Sequence, residues 1–295
     1  MSPSGAGPAV RSAAPVPVLL YHSVCEEPPT WIAPFTVRPR AFARQLDLLA
    51  DRGVAVVPLS RLVAAQRSPA AAAALPARCA VLTFDDGFAD FHTTVAPLLA
   101  ARGLTATLYL TTGAVRRPGR TAGPGPLPPA AMLDWDRVRE LDAAGFEIGG
   151  HTATHPQLDT LPPAALAPEI EGCRRRIEDE LGHRVTAFAY PHGYSGPAVR
   201  RRTARAGWTS AAAVRQGFSS AADEPLRIAR LMLRADTGPA EFARWAAGEG
   251  APVAPFPEGA RTRGWRAWRR LRARLRVPYE ALPPPHTAGG AAARG

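Results

Sequence analysis

Two adjacent carboxylates follow a short apolar run in the first third of the chain. Residues 80–84 (Ala-Val-Leu-Thr-Phe) are typical of a buried strand, and Asp85, Asp86 and Gly87 come directly after them. Because a strand alternates its side chains, both carboxylates can share one orientation only if the backbone turns at the strand end, which the glycine permits. Two neighbouring anions repel each other unless they share a cation. The pair therefore indicates either a cation site or a solvated Asp-Asp-Gly turn.

A pair of histidines favours the cation. His151 and His155 are four positions apart, a spacing that puts both imidazoles on one face of a helical turn, as in metal-binding helices. With the carboxylate pair they predict a site of two histidines and one aspartate that keeps an open position, the pattern of a catalytic zinc. The donor set suits Zn²⁺ best, and Co²⁺ or Ni²⁺ would fit the same ligands.

Length and composition limit the architecture. The 295 residues are 46% apolar, enough for the core of one large α/β barrel or of two modest domains. All 36 basic residues are arginine and the net charge is +11, but a bias towards Ala, Arg, Gly and Pro could produce part of this excess. The charge alone is therefore weak support for any partner.

The expected compartment is the cytoplasm, with peripheral contact at the inner membrane face. Three scattered cysteines do not form a disulfide framework and suit a reducing compartment. Residues 1–17 lack the apolar stretch of a secretory signal. No run approaches the ~20 apolar residues that a membrane helix needs.

Predicted strands alternate with predicted helices along the chain. This alternation favours parallel pairing and a barrel of seven or eight β/α units, with an open doubly wound sheet as the competing topology. The candidate site residues follow strands, as the active face of a barrel requires. The predicted strands cover 16–21, 54–57, 80–84, 105–110, 146–149, 186–190, 208–212 and 228–233. The predicted helices cover 39–52, 59–66, 95–103, 134–145 with Asp134 as its cap, 163–182 and 198–206, and residues 69–76 form an alanine-rich connector.

The domain organisation follows from the same pattern. We predict a disordered tail over 1–15, the barrel domain over 16–248, a basic amphipathic helix over 258–280 and a second disordered tail over 281–295. Inside the barrel, residues 116–130 are rich in proline and glycine. Long loops of this kind in compact domains are usually functional or disordered.

Three segments in order resemble the first three motifs of the polysaccharide deacetylases, carbohydrate esterase family four. They are 83–87 (Thr-Phe-Asp-Asp-Gly), 151–155 (His-Thr-Ala-Thr-His) and 188–193 (Phe-Ala-Tyr-Pro-His-Gly). The flanking segments 20–24 (Leu-Tyr-His-Ser-Val) and 132–135 (Met-Leu-Asp-Trp) fit as well. The opening Tyr-His pair is similar to the branch that contains poly-N-acetylglucosamine deacetylases. The resemblance extends over about 16–245.

The resemblance implies both a fold and an activity. The fold is a distorted, incomplete (β/α) barrel, with Asp86, His151 and His155 as metal ligands and Asp85 as general base. The activity is metal-dependent hydrolysis of N-acetyl groups on an acetylated amino sugar in a polysaccharide, an oligosaccharide or a lipid-linked glycan precursor. The chemistry agrees, because a divalent ion can polarise the amide carbonyl while an ionised carboxylate takes a proton from water.

The third motif supplies the candidate substrate-binding residues. The resemblance implies that Tyr190, Pro191 and His192 line the sugar site, where a backbone N–H near His192 would complete an oxyanion hole. Trp135 follows the proline-rich loop and could stack on a sugar face, with ordinary core packing as the alternative.

The sequence departs from the family pattern at the arginine that starts the third motif and pairs with the base aspartate. That place holds Ala189 or Phe188 here, so the base must be oriented by another residue. Arg230 or Arg234 could substitute, and their spacing does not decide between them.

A second departure concerns the general acid. The C-terminal Leu-His motif is missing, since no histidine lies between His192 and His286. The resemblance to the Tyr-His branch makes His22 the candidate acid, with a hydrogen-bonded strand-end histidine as the alternative. The two departures also motivate a different hypothesis, a non-catalytic homologue that binds metal and glycan.

The C-terminal region suggests a further partner. Residues 261–276 contain eight arginines, and Trp265, Trp268, Leu271 and Leu275 form one apolar stripe at helical spacing. The pattern indicates an interfacial helix on anionic lipid, or less favourably a nucleic-acid patch. The alternative is a C-terminal helix that packs on the barrel with its arginines solvated.

Overall fold

The structure is a computed structural model that describes residues 14–116 and 125–275. It divides into one unit that ends at Phe256 and a second that starts at Pro257. Within the described residues, the first unit contains eight strands that pair in parallel. They are β1 (Val18–Tyr21), β2 (Ala55–Val56), β3 (Cys79–Phe84), β4 (Thr107–Leu110), β5 (Glu147–Gly150), β6 (Ala187–Ala189), β7 (Ser210–Gln216) and β8 (Ile228–Met232).

Seven of these strands close into a barrel. Strands β3 to β8 pair in chain order, and β1 pairs with both β8 and β3. The short β2 lies beside β3 outside the closed ring. The incomplete (β/α) barrel is therefore confirmed, and the open doubly wound alternative is wrong because β1 joins the two edges of the sheet.

Helices connect the strands where the apolar spacing predicts them. They are α1 (Pro39–Asp51), α2 (Leu59–Arg67), α3 (Pro69–Ala73), α4 (Ala96–Ala100), α5 (Trp135–Ala143), α6 (Cys173–Leu181), α7 (Pro197–Arg205) and α8 (Pro239–Ala246). In α1 the spaced residues Phe42, Leu46 and Leu49 are buried. The predicted cap of α5 is present, because the Asp134 carboxylate accepts the backbone N–H of Arg137 at 2.9 Å.

Two helical regions differ from the prediction. The alanine-rich connector forms α3, since the Ser68 hydroxyl caps its first turn. The helix predicted over 163–182 is regular only in α6, which is preceded by a 3₁₀ turn (Pro163–Ala165) and a π-helical segment (Pro168–Gly172). A second π-helical segment (Phe91–Val95) leads into α4.

The period of two along each strand separates the barrel interior from the outer core. In β3, Leu82 and Phe84 belong to the large apolar cluster that faces the helices. Val81 belongs to the second cluster, with Tyr109 of β4 and Ile228 of β8. Side chains at alternate positions therefore point into the barrel, and the same alternation turns polar residues inward near the strand ends.

The second unit contains α9 (Ala260–Arg274). Among the residues that the structure describes, no helix is long and apolar enough to span a membrane. The predicted tail 281–295 and residues 117–124 of the proline-rich loop lie outside the described ranges, as do residues 1–13 of the N-terminal tail.

Candidate active site

The carboxylate pair lies in a turn at the end of β3. The backbone N–H of Asp85 still donates to the Tyr21 carbonyl of β1 at 3.0 Å. The chain then turns, because Asp86 and Gly87 have φ angles of 75° and 88°. A side chain at Gly87 would also approach the Leu110 side chain to 3.1 Å. The predicted turn is present and begins one residue before the glycine. Both carboxylates lie near His151, whose Nε2 atom is 3.8 Å from Asp85 Oδ2 and 3.6 Å from Asp86 Oδ1.

The histidine pair does not lie on a helix, which corrects the interpretation of its spacing. It follows β5 in an irregular loop, where Thr152 and His155 have φ angles of 69° and 60°. The His155 N–H donates to the Thr152 hydroxyl at 2.9 Å. This reversal of the chain brings the imidazole rings of His151 and His155 within 4.9 Å of each other, centroid to centroid.

Glu169 holds the loop between the histidines. One of its carboxylate oxygens accepts the N–H groups of Ala153 and Thr154 at 3.0 and 2.8 Å, and the other accepts the Thr154 hydroxyl at 2.6 Å. Sequence reasoning missed this residue, because Glu169 lies in the region predicted as helix among other acidic residues and carries no motif. It positions the loop rather than the reacting groups.

Asp86, His151 and His155 form a compact donor set. The Oδ1 atom of Asp86 lies 3.6 Å from His151 Nε2 and 3.4 Å from His155 Nε2, and all three donor atoms fall within 4.8 Å of one another. His151 Nδ1 donates to the Ala189 carbonyl of β6 at 2.9 Å. This bond fixes the tautomer and leaves the Nε2 lone pair directed towards Asp86.

The electrostatics of this set fit a divalent cation. Burial lowers the pKa of His151 to about 3 and that of His155 to about 4, so both imidazoles are neutral. Burial and the charge of Asp85 raise the pKa of Asp86 to about 6, against the effect of His22. Within the described residues, Asp86 Oδ1 is buried without a hydrogen-bond partner. A bound cation would satisfy this oxygen and both imidazoles, so the residues present suit a metal.

Arg230 orients the other carboxylate. Its guanidinium donates to Asp85 Oδ1 at 2.7 Å and to Asp85 Oδ2 at 2.8 Å, in a bidentate pair that is buried on both sides. Burial alone would raise the pKa of Asp85, but Arg230, with a smaller effect from His151, lowers it to about 2. The choice that the sequence left open therefore falls on Arg230. Arg234 is exposed and lies 3.4 Å from Asp236.

His22 lies next to the carboxylates at the end of β1. Tyr21 pairs with Phe84 in the sheet register, so His22 is level with Asp85 on the adjacent strand end. Its Nδ1 atom is buried and has no hydrogen-bond partner among the described residues, while its ring packs 5.4 Å from that of Phe35. Burial lowers the pKa of His22, against the opposing charges of Asp86 and Asp85.

Three of the four substrate-binding candidates have buried side chains. Trp135 is 2% exposed and packs in the core. The prediction that it stacks on a sugar is therefore wrong, and the alternative of core packing is observed. The Tyr190 side chain is also in the core, and its hydroxyl donates to the Leu226 carbonyl at 3.1 Å. Pro191 is buried as well, whereas His192 is exposed and its ring lies 4.7 Å from that of His155.

Comparison with known proteins agrees with this site. Residues 72–211 match the family model described as polysaccharide deacetylase. A chitin deacetylase of Pestalotiopsis sp. is 28% identical over 123 residues, which cover 41% of this chain and 36% of that protein. The chain thus spans about a third of the length of this relative.

Two solved structures share the fold. The structure of IcaB from Ammonifex degensii has a TM-score of 0.66 and 25% identity, covering 79% of this chain and 97% of that one. The Streptococcus pyogenes deacetylase PplD in complex with acetate has a TM-score of 0.67 and 24% identity, covering 78% and 97%. The resemblance deduced from the three motifs is therefore confirmed.

Proposed function

We propose that this chain, whose resemblance to the polysaccharide deacetylases is confirmed, is a metal-dependent hydrolase that removes N-acetyl groups from an acetylated amino sugar. The substrate would be a polysaccharide, an oligosaccharide or a lipid-linked glycan precursor. One observation carries the proposal: the donor set of Asp86, His151 and His155 lies beside a second carboxylate, Asp85, that is held by Arg230. A purely structural metal site would not need that second, separately oriented carboxylate.

Asp86, His151 and His155 would hold the ion, which the donor set suggests is Zn²⁺, with Co²⁺ or Ni²⁺ as alternatives. When bound, such an ion polarises the acetamide carbonyl and lowers the pKa of a water molecule. Side chains of the protein carry out the remaining steps. Asp85 is ionised and accepts a proton from the attacking water, and Arg230 keeps its oxygens in place during the transfer.

His22 completes the proposed reaction. Attack of water on the acetyl carbon forms a C–O bond, and cleavage of the C–N bond then releases acetate and the sugar amine. The departing nitrogen needs a proton, which His22 would take up from solvent and deliver from the end of β1, while Asp85 returns to solvent the proton that it accepted from water. The relationship to a chitin deacetylase supports an N-acetylated glycan as the substrate class.

The rival hypothesis is a non-catalytic homologue that binds metal and glycan. One of its two motivations was the missing arginine of the third motif. Arg230 occupies that role from a different strand, which weakens the rival. The remaining motivation is the missing C-terminal histidine, for which His22 is the proposed replacement.

Acetate release tests the proposal directly. The protein should release acetate from N-acetylglucosamine oligomers or from lipid-linked N-acetylated precursors, lose the activity with a chelator and regain it when metal is returned. His151→Ala should lose bound metal and activity together, because it removes a ligand. His92→Ala is the matched control, since His92 pairs with Glu140 at the surface and should keep both. Full metal occupancy with no acetate from any of these substrates would favour the non-catalytic homologue.

The general acid has a separate test. His22→Ala should lower turnover on an N-acetyl substrate by roughly 10²-fold or more, the usual contribution of proton transfer, with unchanged metal content. The loss should be smaller for an acetate ester, because an alkoxide leaving group needs a proton less than an amine does. Equal losses on both substrates would assign His22 a structural role, and no loss would move the acid to His192 or Asp236.

A further inference from the structure

Helix α9 exposes large apolar side chains between arginines. Trp265 and Trp268 are 39% and 45% exposed, and Leu271 and Leu275 are 58% and 69% exposed. Among the described residues, Val253 is the only other large apolar side chain of this kind. Exposed apolar area is therefore concentrated on one short helix, whereas single exposed apolar residues scattered over a surface would need no explanation.

These apolar side chains form one stripe. Their separations of three, three and four positions keep them on the same side of a helix. The two indole rings stack, with centroids 5.0 Å apart and planes 22° apart. The Arg272 guanidinium lies 5.1 Å from the Trp268 ring. The stripe is thus a continuous apolar surface with cations at its border.

The charge of α9 has one sign. Its fifteen residues include seven arginines and no aspartate or glutamate. Arg269 is buried and Arg266 pairs with Glu258 at 2.7 Å, which leaves the other five arginines for an external anion. An arginine carries its charge at the end of a long apolar stem, so it can cover an apolar boundary while its head group meets an anion. The helix therefore combines an apolar stripe with a dense cationic border.

We propose that α9 is a docking surface for an anionic lipid bilayer. The two tryptophans and two leucines would enter the boundary between head groups and acyl chains, and the arginines would contact the acidic head groups. The proposal concerns where the protein binds and does not rest on the proposed deacetylase activity.

The apolar stripe favours lipid over nucleic acid. Phosphates of a nucleic acid would neutralise the arginines, and bases could stack on Trp265 and Trp268. A nucleic acid offers no apolar medium for Leu271 and Leu275, which are the most exposed members of the stripe. A bilayer accommodates all four side chains and the cations together.

Vesicle flotation with the full chain tests the proposal. The protein should float with phosphatidylglycerol/phosphatidylcholine vesicles at low salt, be released as salt rises, and stay unbound with phosphatidylcholine alone. Because the net charge of +11 could attract any anionic surface, the decisive variant leaves the charge unchanged. Trp265→Gln with Trp268→Gln should lower the vesicle-bound fraction at least ~10-fold, with unchanged circular dichroism.

Two matched double variants distinguish the contribution of the α9 arginines to vesicle binding from that of the protein's net positive charge. Arg263→Gln with Arg274→Gln removes two charges from α9, and Arg201→Gln with Arg205→Gln removes two from exposed positions of α7. Only the α9 pair should weaken vesicle binding. Equal weakening by both pairs, unchanged binding of the tryptophan variant, or binding to an oligonucleotide but not to vesicles would each overturn the proposal.

Discussion

Asp85→Asn is expected to lower acetate release by roughly 10²- to 10⁴-fold while the protein keeps its metal. The substitution preserves the shape of the side chain but removes the group that accepts a proton from water, and loss of a general base has a cost of this order. The donor set of Asp86, His151 and His155 is untouched by the change. Acetate release and metal content measured on the same preparation check both halves of the prediction.

The neighbouring carboxylate is the matched control. Asp86→Asn should release the metal and thereby the activity, because its Oδ1 atom is the one directed at both histidines. Asp85→Asn leaves Arg230 buried without its counter-charge, so both rates must be measured well below the unfolding temperature of each variant. If Asp85→Asn released metal as readily as Asp86→Asn, the proposed division of roles between the two carboxylates would be wrong.

Local patterns predicted the strand ends well. The alternation of strands and helices, with candidate residues after strands, predicted the barrel and the face on which Asp85, Asp86 and the histidines meet. Barrel closure depends on the pairing of β1 with both β3 and β8. That contact joins residues far apart in the chain, which is why a doubly wound sheet remained possible at the sequence level.

The backbone geometry of the histidine pair could not be predicted from the sequence. A spacing of four suits a helix, but positive φ angles at Thr152 and His155 produce the same proximity in a loop. Positive φ angles are uncommon for residues other than glycine, and the residue types at these positions do not predict them. The sequence therefore predicted which residues meet without predicting the backbone that brings them together.

The arginine that pairs with Asp85 also could not be identified from the sequence. Leu231 and Leu82 share the partner Leu19, so Arg230 is level with Val81. Its long side chain must therefore reach up the barrel past Thr83 to Asp85. Arg234 would be level with Asp85, but it lies beyond the end of β8 and its side chain is exposed. Register and strand length, which spacing does not determine, decide between the two arginines.

Arg230→Met is expected to destabilise the fold by about 3–5 kcal/mol and to abolish most of the activity. Arg230 is fully buried, and its removal leaves the Asp85 carboxylate inside the barrel without a counter-charge, which has a cost of this size. The guanidinium also donates to the Ala213 carbonyl at 3.1 Å and to the Thr83 hydroxyl at 3.3 Å. These contacts add to the expected loss, and denaturant unfolding measures it.

A double variant separates the two effects. Arg230→Met combined with Asp85→Leu removes both charges, and such replacements of a buried ion pair are often neutral or stabilising. The double variant should therefore recover most of the unfolding free energy while acetate release stays near background, because the base is absent. A single Arg230→Met variant with the stability and rate of the original protein would show that the pair neither supports the barrel nor orients the base. Equal destabilisation in the single and double variants would instead assign the cost to lost packing of the arginine stem.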